Sequence, residues 1–331
     1  MGCVHITKKA TYNKIKFKMT KDELHTRQQW PLKWKIDHTL GVIDQFIAKM
    51  DGKVYLSFSG GKDSTVLLHL CEIIDPQIKC MFVNTGCESV DVVRFVEKMR
   101  AAGHNIETIR PKLTPRQVWA QYGFPLVSKD QAFKIDLVRK NPNSASAQKF
   151  MRDSNQFTIS KGFRYLCDPE KCKYHTSAKC CDKLKKDPCH KYEHETGLRP
   201  IVATMASESM LRESLYLRIG QCNSFAEGHE KSYPLSIWME EDIWQFVREN
   251  NIELAEIYAK GVDRTGCVGC GFGAQMKSDR RLETFYRLYP KYYNMVLNFT
   301  NNGVTYREAL REMLAVNGLY LPDENPEPKL F

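Results

Sequence analysis

The chain has 331 residues and a mass of 38.3 kDa; it is 42% hydrophobic and 27% charged, with a mean hydropathy of -0.46. This balance excludes disordered, collagen-like and coiled-coil classes, and no apolar run reaches the roughly 18 residues a membrane-spanning helix needs. Forty-nine Lys and Arg against 39 Asp and Glu leave a net charge of +10, which favours anionic partners such as nucleotides, nucleic acid or sulfate esters.

The start, Met1 to Thr7, has no apolar stretch for a secretory signal, and Ile6 stands where the myristoylation pattern after Gly2 needs Ser or Thr. A cytoplasmic protein with no membrane partner is expected. Its 12 cysteines then stay reduced, available for metal or thiol chemistry rather than disulfides. From about Lys21, Ile36, Leu40, Ile43, Ile47 and Met50 recur at helical spacing, so residues 1–50 read as a helical arm. Val54 to Phe58 reads as a strand, followed by a Gly-rich loop and a helix from about Thr65. Ile78 to Val83 reads as a second strand, with a helix through Val93, Phe95 and Met99 after it, and Ile106 to Ile109 as a third. Strands alternating with helices predict an α/β fold whose mainly parallel sheet is covered on both faces.

Residues 51–275 are expected to form this α/β domain, interrupted by a Lys-rich, Cys-rich insertion over about 128–195. Apolar residues are sparse there, so a metal is the expected organiser. Pro200 to Thr204 reads as a further strand and Glu240 to Glu249 as a helix. Residues 276–331 form an aromatic, basic, helical C-terminal region. There Arg280, Arg281, Arg287 and Lys291 interleave with tyrosines, a pattern that suits either nucleic-acid contact or an amphipathic helix with core aromatics.

The most informative residues are Ser59-Gly60-Gly61-Lys62-Asp63-Ser64, between the first strand and its helix. A loop there stands at the carboxyl edge of a parallel sheet. Paired glycines let the backbone approach an anion, and N–H groups leading into a helix N-terminus meet it with positive charge. The spacing differs from the GxxxxGK loop of kinases.

This string resembles the SGGxDS motif of the PP-loop ATP pyrophosphatases. Val83-Asn84-Thr85-Gly86 is similar to the DTG element of the phosphoadenosine phosphosulfate (PAPS) reductase branch, with Asn84 in place of its Asp. Ala206 to Arg212 resembles that branch's RAEESxxR segment, with Met205 where Arg is usual, and Tyr233 to Trp244 resembles its NPL..WTEEDVW stretch. The likeness runs from Lys53 to Gly273. It implies an adenine nucleotide alpha hydrolase-like (HUP-type) fold that binds ATP with Mg2+. Ser59, Gly60, Gly61 and Ser64 would cradle pyrophosphate, Lys62 would neutralise developing charge and Asp63 would orient the loop or reach Mg2+. Asn84, Thr85 and Arg212, with Glu208 orienting the arginine, complete the nucleotide-binding set; a plain surface pair is the alternative for the last two.

Cys180-Cys181 and Cys267-Val268-Gly269-Cys270 together supply four soft ligands. Adjacent cysteines diverge too far for a tight zinc site but suit two corners of a cubane, which favours an iron-sulfur cluster over zinc. Assimilatory adenylylsulfate reductases are similar in their CCxxRKxxP and CxxC motifs, which hold a 4Fe-4S cluster. Here Leu184 replaces the Arg and Lys185 matches the Lys. Cys71 and Cys80 read as core residues and Cys87 as structural. Cys3 and Cys222 have no partner pattern, and Cys167, Cys172 and Cys189, with His175, His190 and His194, are a second, less specific candidate for zinc.

The reductases also resemble one another in a C-terminal ECGLH-like segment that carries the nucleophile, and no Cys follows Cys270 in this sequence. The resemblance therefore implies an ATP-dependent adenylating sulfurtransferase, like the DNA phosphorothioation enzyme or the tRNA thiolases. Its acceptor would be a nucleic acid or a small molecule and its sulfur donor a partner such as a cysteine desulfurase. An oxidoreductase acting on a sulfonucleotide, its nucleophile supplied in trans, is the second reading, and a non-catalytic nucleic-acid binder the third.

Overall fold

The computed structural model describes residues 18–153 and 157–325; the expectations for Met1 to Thr7, Cys3 included, and for residues 326–331 lie outside them. Among the described residues ten strands are formed: β1 Val54–Phe58, β2 Cys80–Val83, β3 Ile106–Ile109, β4 Leu126–Val127, β5 Arg199–Val202, β6 Asn223–Ser224, β7 Lys231–Ser232, β8 Gly271–Phe272, β9 Thr300–Asn301 and β10 Val304–Thr305. The helices α1 Lys21–Gln28, α2 Leu32–Lys49, α3 Lys62–Ile74, α4 Val90–Ala101, α5 Pro115–Tyr122, α6 Lys129–Lys140 and α7 Ala145–Phe150 occupy the first half. In the second half lie α8 Lys179–Cys181, α9 Asp187–Thr196, α10 Met210–Ile219, α11 Glu240–Glu249, α12 Arg281–Leu288, α13 Pro290–Leu297 and α14 Tyr306–Ala315. The main sheet has six strands in the order β3-β2-β1-β5-β7-β6 and is mainly parallel, as the alternating pattern predicts; β1 pairs with β5, β5 with β7 and β2 with β3 in parallel, and β6 runs antiparallel to β7. No helix among the described residues is long and apolar enough to cross a membrane.

The chain divides into two compact units, each discontinuous in sequence. The first comprises residues 1–57, 63–78 and 199–253. Its sheet register pairs Val54 with Arg199 and Leu56 with Ile201. The buried face of α2 is Leu32, Lys35, Thr39, Val42, Ile43 and Phe46. The apolar spacing predicted Ile36, Leu40 and Ile47 instead, and these lie half-buried at its margin. Two polar residues are taken inside because each has a partner. Lys35 Nζ lies 2.5 Å from the Asp242 carboxylate of α11, and Thr39 Oγ1 accepts the Trp238 indole N–H at 2.9 Å. A hydrophobic count cannot see such satisfied polar groups. Cys71, on α3, is fully buried, as expected of a small core residue.

The second unit comprises residues 58–62, 79–198 and 254–331. Its core contradicts the expectation that the Cys-rich insertion lacks apolar organisers. Ile135, Val138, Ile159, Phe163, Leu166 and Leu184 from that stretch pack with Phe285, Tyr293, Tyr306 and Leu310 in one cluster. Few apolar residues suffice because the C-terminal region supplies the facing wall. Arg139 further ties the insertion together, its guanidinium donating to the carbonyls of Leu166, Cys172 and Tyr174. Most of the C-terminal rings are core: Phe285 and Tyr293 are buried, whereas Tyr286 is exposed. Cys80, at the start of β2, is fully buried, as its apolar setting predicts.

Removing one partner of a buried ion pair leaves the other charge desolvated, at a cost of about 3–5 kcal/mol. Lys35→Ala is therefore expected to lower unfolding stability by about that amount, and combining Lys35→Met with Asp242→Asn to recover part of it. Urea midpoints of the three proteins measure both.

Candidate functional site

The chain leaves β1 through Ser59 and enters α3 at Lys62, so a turn of only three residues separates strand from helix. Gly60 makes that turn possible. Its φ is +69°, and a Cβ there would lie 2.8 Å from Val96 Cγ2 and 2.9 Å from Val92 Cγ1 of α4. At Gly61 a Cβ would approach Thr265 Oγ1 to 2.6 Å. Close approach requires both glycines, and at Gly60 the left-handed backbone conformation does so as well.

The segment Tyr258 to Thr265 is stitched onto this turn. The Lys62 N–H donates to Tyr258 Oη at 2.7 Å, and Lys62 Nζ donates to the Asp263 carbonyl at 3.2 Å. The Gly61 N–H donates to Ser59 Oγ at 3.3 Å. Lys62 is 1% exposed, so its ammonium is held inside the loop. These are donors the sequence resemblance assigns to a phosphate, and in this structure protein oxygens accept from them. Nothing in the sequence pointed to Tyr258, whose role depends on a contact 196 residues away.

Asn84 and Thr85, predicted as nucleotide contacts, shape the turn after β2. Asn84 Oδ1 accepts the Gly86 N–H at 3.1 Å, and Thr85 Oγ1 bonds the Glu88 carboxylate at 2.8 Å while accepting the Cys87 N–H at 3.1 Å. The turn presents Cys87. In the other unit, Asp63 lies in the first turn of α3 and Ser64 beside it is buried. Glu208 and Arg212 form an ion pair there, and the Glu208 carboxylate also accepts the Met205 N–H at 2.9 Å.

Cys180, Cys181, Cys267 and Cys270, the four predicted ligands, line a single cavity together with Cys87, Trp119, Leu184 and Lys185. Each arrives by a distinct local device. Cys180 and Cys181 end α8, which widens into a π-helical turn over Asp182–Lys186 before α9. Pro188 in the first turn of α9 has no N–H to return to the Leu184 carbonyl, which favours that widening. The Cys267–Cys270 turn needs Gly269 at φ +76°, where a Cβ would lie 2.8 Å from Phe285 Cε1. Tyr306 Oη, deep in the core, donates to the Gly269 carbonyl at 2.9 Å. A backbone bond of 2.6 Å from Val268 N–H to the Cys87 carbonyl joins the two thiol-bearing loops. Cys87 was read as structural from the sequence; the structure makes it the fifth thiol of this cavity.

The thiols are electrostatically unequal. A hydrogen bond from Cys87 and the Lys185 ammonium hold Cys267 down to about 6, even though burial opposes it. Burial raises Cys270 to about 11 and drives Cys180 higher still, partly offset by the Trp119 indole N–H, which donates to Cys180 Sγ at 3.2 Å. Cys87 is pushed well up by its bond to Cys267 and by burial. Among the described residues no three His, Cys, Asp or Glu side chains are arranged to hold a metal ion. That includes the second zinc candidate: Cys172 Sγ instead bonds the Tyr174 carbonyl at 3.2 Å.

Comparison with known proteins places this geometry in context. A model of the phosphoadenosine phosphosulfate reductase domain matches residues 53–271. Two uncharacterized proteins of Methanocaldococcus jannaschii are 23% and 21% identical over 79% of the chain, which spans 52% and 45% of their lengths. The chain thus covers about half of these curated relatives. Among solved structures, a phosphoadenylyl-sulfate reductase of Candida auris in phosphate complex aligns at TM-score 0.43 and 11% identity, over 75% of this chain and 96% of that one. An FMN adenylyltransferase of Candida glabrata in complex with ATP aligns at 0.41 and 13% identity, over 75% and 68%.

Two outcomes follow from the geometry. Gly60→Ala forces a Cβ into Val92 and Val96 at positive φ and is expected to destabilise the fold by about 1–3 kcal/mol, read from denaturant unfolding. In metal-free protein, alkylation of Cys267 by iodoacetamide is expected to stay fast down to about pH 6 and to slow below it as the thiolate protonates. Lys185→Gln removes a cation that favours the thiolate, so it shifts that midpoint upward.

Proposed function

The chain belongs to the phosphoadenosine phosphosulfate reductase domain family, and from that premise we propose that it is an ATP-dependent adenylating sulfurtransferase with a 4Fe-4S cluster on Cys180, Cys181, Cys267 and Cys270. The observation that carries this reading is the sharing of one compact unit by the glycine turn and the thiol cavity. Gly61 abuts Thr265, two residues before Cys267.

The donor set suits such a cluster. The thiols are soft ligands, the cavity wall is largely apolar, and Lys185 and the Trp119 N–H offset thiolate charge. The four sulfurs share one cavity, and adjacent Cys180 and Cys181 suit separated corners of a cubane better than one zinc ion. When bound, a cluster of this kind would hold and deliver sulfide only at an iron that one of the four thiolates leaves open.

The residues of the loop would handle ATP, the substrate. The N–H groups of Gly61 and Lys62 exchange Ser59 Oγ and Tyr258 Oη for the β and γ phosphate oxygens, and Lys62 Nζ exchanges the Asp263 carbonyl for the charge that develops on pyrophosphate. Ser59 and Ser64 add hydroxyl donors, and Asp63 orients the helix start or reaches Mg2+. An acceptor oxygen attacks the α phosphorus and pyrophosphate leaves; the terminal sulfur of a persulfide then attacks the activated carbon, the C–O bond breaks and AMP leaves, and a thiol reductant cleaves the resulting S–S bond to free the thiolated product. The net charge of +10 suits an anionic acceptor such as a nucleic acid, with sulfur coming from a persulfide-bearing partner such as a cysteine desulfurase.

Anaerobic purification with iron and sulfide analysis tests the cluster. About four of each per chain and a broad band near roughly 400 nm, both lost in the Cys267→Ser, Cys270→Ser double variant, are expected; colourless protein after reconstitution with iron and sulfide overturns the cluster. Pyrophosphate release from ATP tests adenylation separately, and Lys62→Ala is expected to slow it by about 100-fold. Equal release from the variant defeats the loop assignment.

A further inference from the structure

The reading above uses four of the five thiols in the cavity, and Cys87 is left over. Its thiol and that of Cys267 line the same cavity. The two backbones are pinned together as well, by the 2.6 Å bond from the residue after Cys267 to the Cys87 carbonyl. One such bond between residues 268 and 87 keeps the backbones of 267 and 87 adjacent, close to the roughly 4.4–6.8 Å between Cα atoms that a disulfide spans. The other thiols are turned elsewhere: Cys270 faces the backbone of Phe272 and Cys180 takes the Trp119 N–H. Cys267 is partly exposed, whereas Cys87 is 4% exposed beneath Tyr292, whose hydroxyl donates to the Gly86 carbonyl at 2.7 Å.

We propose that Cys87 and Cys267 are an oxidative modification site, a pair that closes to a disulfide when the cavity holds no metal and so withdraws Cys267 from the ligand set. The oxidant is a hydroperoxide, small enough for a largely enclosed cavity. The Cys267 sulfur attacks the distal peroxide oxygen, the O–O bond breaks, and an alcohol or water leaves as Cys267 becomes a sulfenic acid. The Cys87 sulfur then attacks Cys267 Sγ, the S–O bond breaks, and water carries away the hydroxyl and the thiol proton. Each sulfur loses one electron and the peroxide takes up both. Cys87 thereby protects Cys267 from irreversible over-oxidation while the cavity is empty, and reduction by a dithiol restores the site. The consequence for metal uptake rests on the cluster reading; the bond itself does not.

The test uses the full chain, reduced and stripped of metal, treated with hydrogen peroxide, alkylated under denaturing conditions and mapped by peptide mass. A Cys87–Cys267 linked peptide that disappears with dithiothreitol is expected. In Cys87→Ser the link is lost and Cys267 is trapped as a dimedone adduct of its sulfenic acid. Linkage of Cys267 to Cys270, of Cys180 to Cys181, or no linkage at all overturns the proposal. Iron and sulfide are then offered to both forms, and the oxidised form is expected to take up at most about a tenth of what the reduced form binds. Equal uptake overturns the withdrawal of Cys267. Failure of the reduced form to bind iron defeats the cluster reading and leaves the linked peptide to decide the modification site.

Discussion

A parallel strand cannot be followed by a tight hairpin; its connection must cross back over a face of the sheet, and every strand therefore releases its loop at a carboxyl end. The candidate chemistry of this protein depends on that constraint. The glycine turn leaves the end of β1, and the turn that presents Cys87 leaves the end of β2. Neither loop needs a long excursion to reach functional position. Three residues suffice between β1 and α3 because Gly60 adopts a left-handed conformation against Val92 and Val96.

A second consequence concerns hydrogen bonds. Loop N–H groups placed to meet an anion cannot be left unsatisfied in a buried setting, since each would cost about 1–3 kcal/mol. Tyr258, Asp263 and Ser59 supply the partners here. Those partners are a phenol oxygen, a carbonyl and a hydroxyl, all acceptors of the kind the proposed phosphate oxygens would replace. The same segment continues into Cys267, two residues after the Thr265 that abuts Gly61.

Much of the scaffold was legible in the sequence. Val54 to Phe58, Ile106 to Ile109 and Glu240 to Glu249 were assigned with the bounds the structure has, because each carries an uninterrupted local pattern ended by turn or capping residues. The face of α2 was misassigned because burial of Lys35 and Thr39 depends on Asp242 and Trp238, some 200 residues away. The 128–195 stretch appeared too polar to pack by itself for the same reason: the wall it packs against, from Phe285 to Leu310, is remote in sequence. At the site, the paired-cysteine motifs were visible as spacing. Cys87 stood in plain view after Asn84-Thr85-Gly86, yet only its place in the cavity beside Cys267 distinguishes it from a buried structural thiol.

The sequence by itself determined the fold class, the family, the glycine turn and the identity of four of the five thiols, because each is written in residues a few positions apart whose local geometry is set by backbone conformation and side-chain period. Only the tertiary structure decided that Lys62 is closed over by Tyr258 and Asp263, that the two cysteine pairs share one cavity, and that Cys87 joins them. Those facts arise from contacts between segments separated by about 60 to 200 residues. Such contacts are selected by the packing of a whole core and leave no periodic trace in the chain.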